Sequence, residues 1–170
     1  MSPGCCGRAA TACNARWPAA NRCCAARVKS PAEGSRYATL VHAVLTPATG
    51  EILYVNAGHP PAVLVSSDGE WTPALASTAP AVGLIDGAQF PSGTHRLRPG
   101  DTLIVMSDGV CEARNGRGDD FDLACLAGLA RASHAGVATL ADTIVREVQR
   151  HRGVDQAQDD VTVFILRRAA

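Results

Sequence analysis

The sequence lacks an uncharged apolar run long enough to cross a membrane. Its longest stretches without Asp, Glu, Lys or Arg are Tyr37 to Gly50 and Trp71 to Ile85. Both are shorter than the roughly 18 apolar residues that a spanning helix requires. Near the N-terminus, Arg8, Arg16 and Arg22 interrupt any segment that could serve as a secretory signal. We therefore expect a soluble, cytoplasmic protein with no membrane partner.

The first 36 residues also have few of the large apolar side chains that build a core. They contain no Leu, Ile or Phe and a single Val, against nine Ala and five of the seven Cys of the chain. Such a segment cannot bury enough apolar surface to offset the entropy lost when its backbone is ordered. We therefore predict a disordered tail over residues 1–36 and an ordered domain over residues 37–168.

The composition of this tail allows three further interpretations. A zinc knuckle is disfavoured because two pairs of cysteines are adjacent, whereas zinc ligands are usually spaced two to four residues apart. A net charge of +5 could suit a nucleic-acid-binding arm, but the basic residues are scattered singly, so we expect no nucleic-acid partner. The third interpretation is GC-rich coding sequence read in the wrong frame or from a wrong start. The five cysteines are Cys5, Cys6, Cys13, Cys23 and Cys24.

From Tyr37 onward, turn residues separate segments rich in β-formers, and helical spacing of apolar residues follows. This order predicts an α+β domain with a mainly antiparallel sheet and two helices near the C-terminus. Basic residues at the end of the second helix, Arg152 among them, suit the negative end of its dipole. The predicted strands are Tyr37–Thr46, Glu51–Asn56, Ala62–Ser66, His95–Arg98, Thr102–Ser107 and Val161–Arg167, and the helical spacing covers Leu123–Ala130 and Val137–Val148.

Carboxylates stand at the ends of two of these predicted strands. Asp108 follows the strand that begins at Thr102, and Asp159 and Asp160 precede the last strand. If the two strands are antiparallel neighbours, Asp108 and Asp159 meet at one sheet edge. Carboxylate oxygens there suit a hard cation such as Mg²⁺, Mn²⁺ or Ca²⁺ rather than zinc. A plain Asp-Gly turn and a solvated Asp-Asp pair are the alternative.

Five blocks of the chain resemble one known family. Their order and approximate spacing are similar to those of the SpoIIE/RsbU branch of bacterial PPM-type serine/threonine phosphatases. The resemblance implies an α-β-β-α sandwich whose aspartates hold two Mn²⁺ or Mg²⁺ ions. It also implies that metal-activated water hydrolyses phosphoserine or phosphothreonine without a covalent enzyme intermediate. The blocks are Tyr37–Leu40, Tyr54–Pro61, Leu97–Asp101, Met106–Arg114 and Gln158–Thr162.

The resemblance assigns roles to individual carboxylates and a substrate class to the site. Asp108 and Asp159 match the metal-binding, catalytic aspartates of the family, and Asp160 matches a supporting position. Relatives in this branch dephosphorylate antagonists of anti-sigma factors. The implied partner is therefore a small phosphorylated protein in a sigma-factor regulatory pathway.

Other residues of the matching blocks are expected to support the site. His59 is predicted to have a structural loop role, with phosphate contact or protonation of a leaving alkoxide as the alternative. Gly109 is predicted to let the chain turn sharply beside the site. Glu112 matches an acidic family position, with a solvated side chain or a helix start as the plainer interpretation. Cys111 and Cys125 are predicted to be packing residues rather than nucleophiles.

One departure from the family affects the expected activity. The first half of the family's domain supplies the aspartate that bridges both metals, and nothing before Tyr37 resembles it. We therefore expect the C-terminal part of a phosphatase domain, truncated or frameshifted, and whether it is an active enzyme stays open. The strands at residues 40–45 and 52–55 would be uncovered, which favours self-association. A non-catalytic remnant that binds other proteins is the alternative function.

Overall fold

The computed structural model of the protein describes residues 37–132, 136–152 and 160–169. The chain divides into two compact units, and each contains one antiparallel sheet. Of the described residues, the first unit joins 37–59 to Leu75–Arg96, and the second joins Pro60–Ala74 to those from 97 onward. In the described part of the chain, no helix is both long and apolar enough to cross a membrane.

The elements follow one another in the order that the sequence predicts, with two additions. The additions are the strand β4 and the four-residue helix α1. In chain order the elements are β1 (Leu40–Thr46), β2 (Glu51–Ala57), β3 (Ala62–Val65), β4 (Trp71–Ala74), β5 (Gly93–Arg96), β6 (Thr102–Met106), α1 (Asp108–Cys111), α2 (Ala124–Ala132), α3 (Val137–Arg152) and β7 (Val163–Arg167).

The first unit is built on a three-stranded sheet with the order β1-β2-β5. β1 and β2 form the predicted hairpin, in which Gly50 closes the turn with a φ of 75° and donates its N–H to the Thr46 oxygen at 2.8 Å. β5 pairs with the other edge of β2 and begins at Gly93, two residues before the predicted start. A Cβ at Gly93 would lie 2.6 Å from Cζ of Tyr54, so a larger residue here would require the Tyr54 ring to shift.

The two strands that were expected to be uncovered differ in burial. β1 is largely exposed, with Val44 at 39%. The expectation is wrong for residues 52–55 of β2, which are buried. Leu53 and Val55 pack against Val82 and Phe90, which lie in the long connection before β5 and cover this face of the strand. Exposed apolar surface on this hairpin is therefore confined to β1.

The second unit packs two helices against a four-stranded sheet with the order β4-β3-β6-β7. Each helix buries one face, as its apolar spacing predicts. The buried residues of α3 lie four positions apart along the helix, which places them in one stripe facing the sheet. Burial of each large apolar side chain contributes about 1.5–3 kcal/mol. The buried helix residues are Leu126, Ala127 and Ala130 of α2 and Leu140, Ile144, Val148 and Arg152 of α3.

β4 is a strand that sequence reasoning missed, and Pro73 is the reason. Proline cannot donate a ladder hydrogen bond, so a run that contains one argues against a strand. In the structure Pro73 pairs with Val63 of β3, and β4 lies at an edge of the described sheet. An edge strand tolerates proline because its outward N–H has no strand to bond.

Candidate functional site

The end of β6 lies beside the start of β7, as the sequence predicts. Met106 pairs with Val163 in the antiparallel register. Ser107 extends this pairing, because its N–H donates to the Thr162 oxygen at 3.0 Å. Its hydroxyl donates to the Asp160 oxygen and accepts the Thr162 N–H, both at 3.0 Å. Through these hydrogen bonds, Ser107 connects the end of β6 to the segment that leads into β7.

Asp108 follows Ser107 and begins α1. Its side chain is exposed, and Oδ1 accepts the N–H of Gly109 at 2.8 Å. A carboxylate can accept about four hydrogen bonds or metal contacts, so this bond orients the group and leaves most of its capacity available. Asp160 is also exposed. Asp159 lies outside the described residues, so its meeting with Asp108 stays a prediction.

The described residues fit part of a hard-cation site. Asp108 offers carboxylate oxygens of the kind that Mg²⁺ and Mn²⁺ prefer. Asp160, the predicted supporting residue, is exposed in the segment that precedes β7. Within residues 37–132, 136–152 and 160–169, however, no three or more His, Cys, Asp or Glu side chains form a group that could hold a metal ion. The described part of the chain therefore supplies one predicted ligand, Asp108, but not a complete set.

Glycine is required at position 109 because of a close backbone contact, and not because of the sharp turn that the sequence predicts. Its φ is not positive, so the turn itself does not demand glycine. A Cβ at this position would lie 2.5 Å from the main-chain oxygen of Asp160 and 3.2 Å from Nη2 of Arg152. The absence of a side chain thus permits the close approach of the α1 backbone to the segment that enters β7.

Arg152 is a residue of this region that sequence reasoning did not assign to it. It is the last residue of α3, is 8% exposed, and donates from Nη2 to the oxygen of Gly109. One signal was available, since Arg152 continues the four-residue spacing that runs through Val148. That spacing places a charged side chain on the buried face of the helix, where it requires a polar partner.

Asp101 also has a defined role in the second unit. It is 2% exposed, and its carboxylate accepts the N–H of Ser67 at 3.2 Å and of Arg98 at 2.8 Å. Two main-chain donors satisfy the buried charge and close the turn that leads into β6. The block Leu97–Asp101 of the resemblance is thus a structural turn.

His59 and Glu112 occupy positions that differ in kind. His59 belongs to the first unit. Its main-chain N–H donates to Oδ1 of Asn56 at 2.9 Å, and its ring Nδ1 lies 3.1 Å from Oγ1 of Thr39. Glu112 belongs to the second unit, where it is exposed. Its main-chain N–H donates to the main-chain oxygen of Asp108 at 2.8 Å and so ends α1. These contacts anchor the His59 loop and cap α1, while the predicted supporting roles in chemistry stay predictions.

Replacing Asn56 by Ala is expected to destabilise the protein by about 2 kcal/mol. Asn56 is fully buried, and its Nδ2 donates to the Leu75 oxygen at 2.7 Å, which helps to hold Leu75 at a φ of 50°. The substitution leaves this oxygen and the N–H of His59 without their partner. Urea denaturation measures the loss. Gln89→Ala, at an exposed amide, is the control, and an equal effect of both variants would contradict the prediction.

The two described cysteines have the properties of packing residues. Neither forms a disulfide, and both are partly buried. Burial, followed by the charges of Asp108 and Glu112, raises the pKa of the Cys111 thiol. Burial is also the main reason why the pKa of Cys125 is raised. At neutral pH both side chains therefore hold less thiolate than an ordinary cysteine, which disfavours a nucleophilic role.

The rate of alkylation measures the thiolate fraction of Cys111. We expect iodoacetamide to modify Cys111 more slowly at pH 7 than it modifies a cysteine in an unstructured peptide, because only the thiolate reacts. Because the pKa is raised, the rate should still increase at pH values above the ordinary range of a thiol. Peptide mass spectrometry at several pH values resolves Cys111 from the other cysteines. A rate equal to that of the free peptide at pH 7 would show that the thiol is not buried in solution.

Solved structures define the class of this fold. The RsbU and RsbW domains of Rv1364c from Mycobacterium tuberculosis match with a TM-score of 0.71 and 26% identity, over 92% of this chain and 42% of theirs. The catalytic domain of the serine threonine protein phosphatase PstP, in complex with 2 manganese ions, matches with a TM-score of 0.69 and 18% identity, over 97% of this chain and 72% of its own. At that identity, the second likeness shows the fold alone. The chain has the α+β fold of the PPM-type phosphatases, part of an α-β-β-α sandwich, which confirms the predicted fold class.

The family is narrower than this class. The family model of Stage II sporulation protein E (SpoIIE) matches residues 9–169. Because the match spans most of the sequence, the chain belongs to the SpoIIE family, and the resemblance stated from the five blocks is confirmed. The matched range includes most of residues 1–36, which lie outside the described residues. The predicted division after residue 36 stays a prediction.

Two relatives match over part of their length. Protein IcfG of Synechocystis sp. is 31% identical over 132 residues, which are 78% of this chain and 21% of that protein. Phosphoserine phosphatase RsbP of Bacillus subtilis is 32% identical over 80 residues, 47% of this chain and 20% of that protein. The chain therefore spans about a fifth of the length of these relatives.

Proposed function

We propose that this chain is a metal-dependent protein serine/threonine phosphatase, with Asp108 in its active site. The observation that supports the proposal most strongly is the position of Asp108. In a SpoIIE-family fold, this exposed carboxylate comes two residues after the end of β6, beside the segment that leads into β7. The predicted reaction is hydrolysis of phosphoserine or phosphothreonine by water.

Asp108 and Asp159 are the proposed metal ligands, and Mn²⁺ or Mg²⁺ is the proposed cofactor. The manganese ions of PstP and the oxygen chemistry of the aspartates support this choice. A bound divalent cation would supply an activated water and offset negative charge on the phosphoryl oxygens. Because Asp108 alone is not a complete ligand set, the proposal requires further ligands, Asp159 among them, from residues outside the described part.

The chain's own contribution is to hold these carboxylates in place. The Gly109 N–H orients Asp108, and Ser107 fixes the distance between the end of β6 and the chain that leads to β7. Such preorganisation matters because a carboxylate that already points into a site loses less entropy when it binds a cation.

A cysteine-dependent mechanism is the phosphatase chemistry that the structure disfavours. A nucleophilic cysteine requires a lowered pKa to form thiolate at neutral pH. Burial raises the pKa of both Cys111 and Cys125. Attack by water, which needs no nucleophilic side chain, agrees better with this electrostatic environment.

The proposed substrate is a small phosphorylated protein that antagonises an anti-sigma factor. The relative RsbP is a phosphoserine phosphatase, and Rv1364c combines RsbU and RsbW domains in one protein. These relatives support a regulatory phosphoprotein as substrate. They also support the proposal that the chain acts in a bacterial sigma-factor pathway.

Hydrolysis of p-nitrophenyl phosphate and of a phosphoserine peptide by the purified chain tests the proposal. We expect turnover that requires Mn²⁺, is lost in EDTA and is strongly reduced by Asp159→Asn. Turnover that persists in EDTA would contradict metal dependence. No turnover by a chain that circular dichroism shows to be folded would contradict the enzymatic proposal and favour a non-catalytic, protein-binding remnant.

A further inference from the structure

Arg152 places a charged side chain on the buried face of α3. It stands one turn after Val148 in the stripe of α3 that also contains Leu140 and Ile144, and these three apolar residues are 0–1% exposed. Arg152 itself is 8% exposed. A buried guanidinium is costly to desolvate, so its position is expected to depend on specific acceptors.

One such acceptor is the carbonyl oxygen of Gly109, which receives a hydrogen bond from Nη2 of Arg152. The N–H of the same glycine donates to Oδ1 of Asp108 at 2.8 Å. Gly109 is therefore held on both sides, by α3 through its oxygen and by the candidate metal ligand through its nitrogen. The main-chain oxygen of Asp160 also lies close to Gly109, only 2.5 Å from where a Cβ of this residue would be.

We propose that Arg152 is a positioning residue for Asp108. Glycine has the widest range of backbone conformations, so the Asp108–Gly109 segment needs an external contact to keep one of them. The bond from Arg152 provides that contact and makes the placement of the Asp108 carboxylate depend on the C-terminal end of α3. This inference rests on the proposed function only in so far as Asp108 serves the reaction.

A helix-dipole role alone would not require this geometry. Basic residues near a helix C-terminus are stabilising through their charge, whichever acceptor they contact. Arg150 has the same charge two positions earlier, but its side chain is 79% exposed and pairs with Glu147 on the surface. Arg150→Gln therefore removes an equal charge from the same helix end without touching Gly109, which makes it the matched control for Arg152→Gln.

Hydrogen exchange in the full 170-residue chain tests the proposal without depending on activity. The readout is the exchange of the Glu112 and Ala113 amides, which donate to the oxygens of Asp108 and Val110 at 2.8 and 3.3 Å. We expect Arg152→Gln to speed this exchange about tenfold, since it removes a charged hydrogen bond. Arg150→Gln should leave it unchanged, and Arg152→Lys, which retains a charged donor, should restore part of the protection.

The outcomes separate this inference from the proposed function. Equal exchange of the α1 amides in Arg152→Gln and the wild type would overturn it. So would an equal increase throughout the second unit, because the arginine would then support the fold in general. If the wild type shows Mn²⁺-dependent turnover, Arg152→Gln should raise the Mn²⁺ concentration for half-maximal rate and leave KM for the aryl phosphate unchanged. An inactive wild type with the expected exchange pattern would contradict the proposed function and leave the positioning of the Asp108 segment supported.

Discussion

Replacing Asp108 by Asn is expected to lower Mn²⁺-dependent turnover on the order of a hundredfold or more. Asparagine has nearly the same shape as aspartate, and its carbonyl oxygen can still accept the Gly109 N–H that Oδ1 accepts at 2.8 Å. It lacks the negative charge that offsets a divalent cation, however, so metal affinity should decrease while the fold is kept. Rates at increasing Mn²⁺ concentrations and calorimetric titration of Mn²⁺ measure the two effects.

Asp120→Asn is the matched control for this variant. Asp120 is exposed and pairs on the surface with Arg114 at 2.9 Å. Loss of such a pair changes stability by less than about 1 kcal/mol, and turnover should stay at the wild-type level. If Asp108→Asn and Asp120→Asn have the same activity and the same Mn²⁺ affinity, Asp108 is not a metal ligand.

The local pattern of the sequence predicted most of the second unit. The apolar spacing of α2 and α3 corresponds to the faces that they bury, and the pairing of β6 with β7 follows from two β-rich runs with acidic ends. Such features depend on residues a few positions apart, which a sequence shows directly. α1 was predicted only as a turn, because four residues are too few to display a helical period.

Contacts between distant residues were the part that the sequence could not supply. Arg152 reaches a carbonyl 43 positions earlier in the chain, and Asn56 donates to one 19 positions later. A long basic side chain at a helix end is usually solvated, so composition gave no reason to assign Arg152 to the site. The need for glycine at position 109 likewise comes from the chain that enters β7 and not from the local turn.

Replacing Gly109 by Ala is expected to destabilise the protein by about 3 kcal/mol. The new Cβ would lie 2.5 Å from the main-chain oxygen of Asp160, and a backbone atom cannot move aside as a flexible side chain can. Relief of the overlap requires the segment before β7 to shift, which would stretch the hydrogen bonds that Ser107 makes to Thr162. Urea denaturation followed by circular dichroism measures the loss of unfolding free energy.

Gly128→Ala is the control for this variant, because it makes the same chemical change at a position where a Cβ has room. Gly128 lies inside α2, and a Cβ there would have no atom within 4 Å. Alanine is favoured over glycine in a helix interior by roughly 0.5–1 kcal/mol, so this variant should be more stable than the wild type. The two alanine variants should therefore change stability in opposite directions. If Gly109→Ala were as stable as the wild type while Gly128→Ala behaved as expected, the α1 backbone would not approach the β7 segment closely in solution, and the geometry that links Arg152, Gly109 and Asp108 would lose its basis.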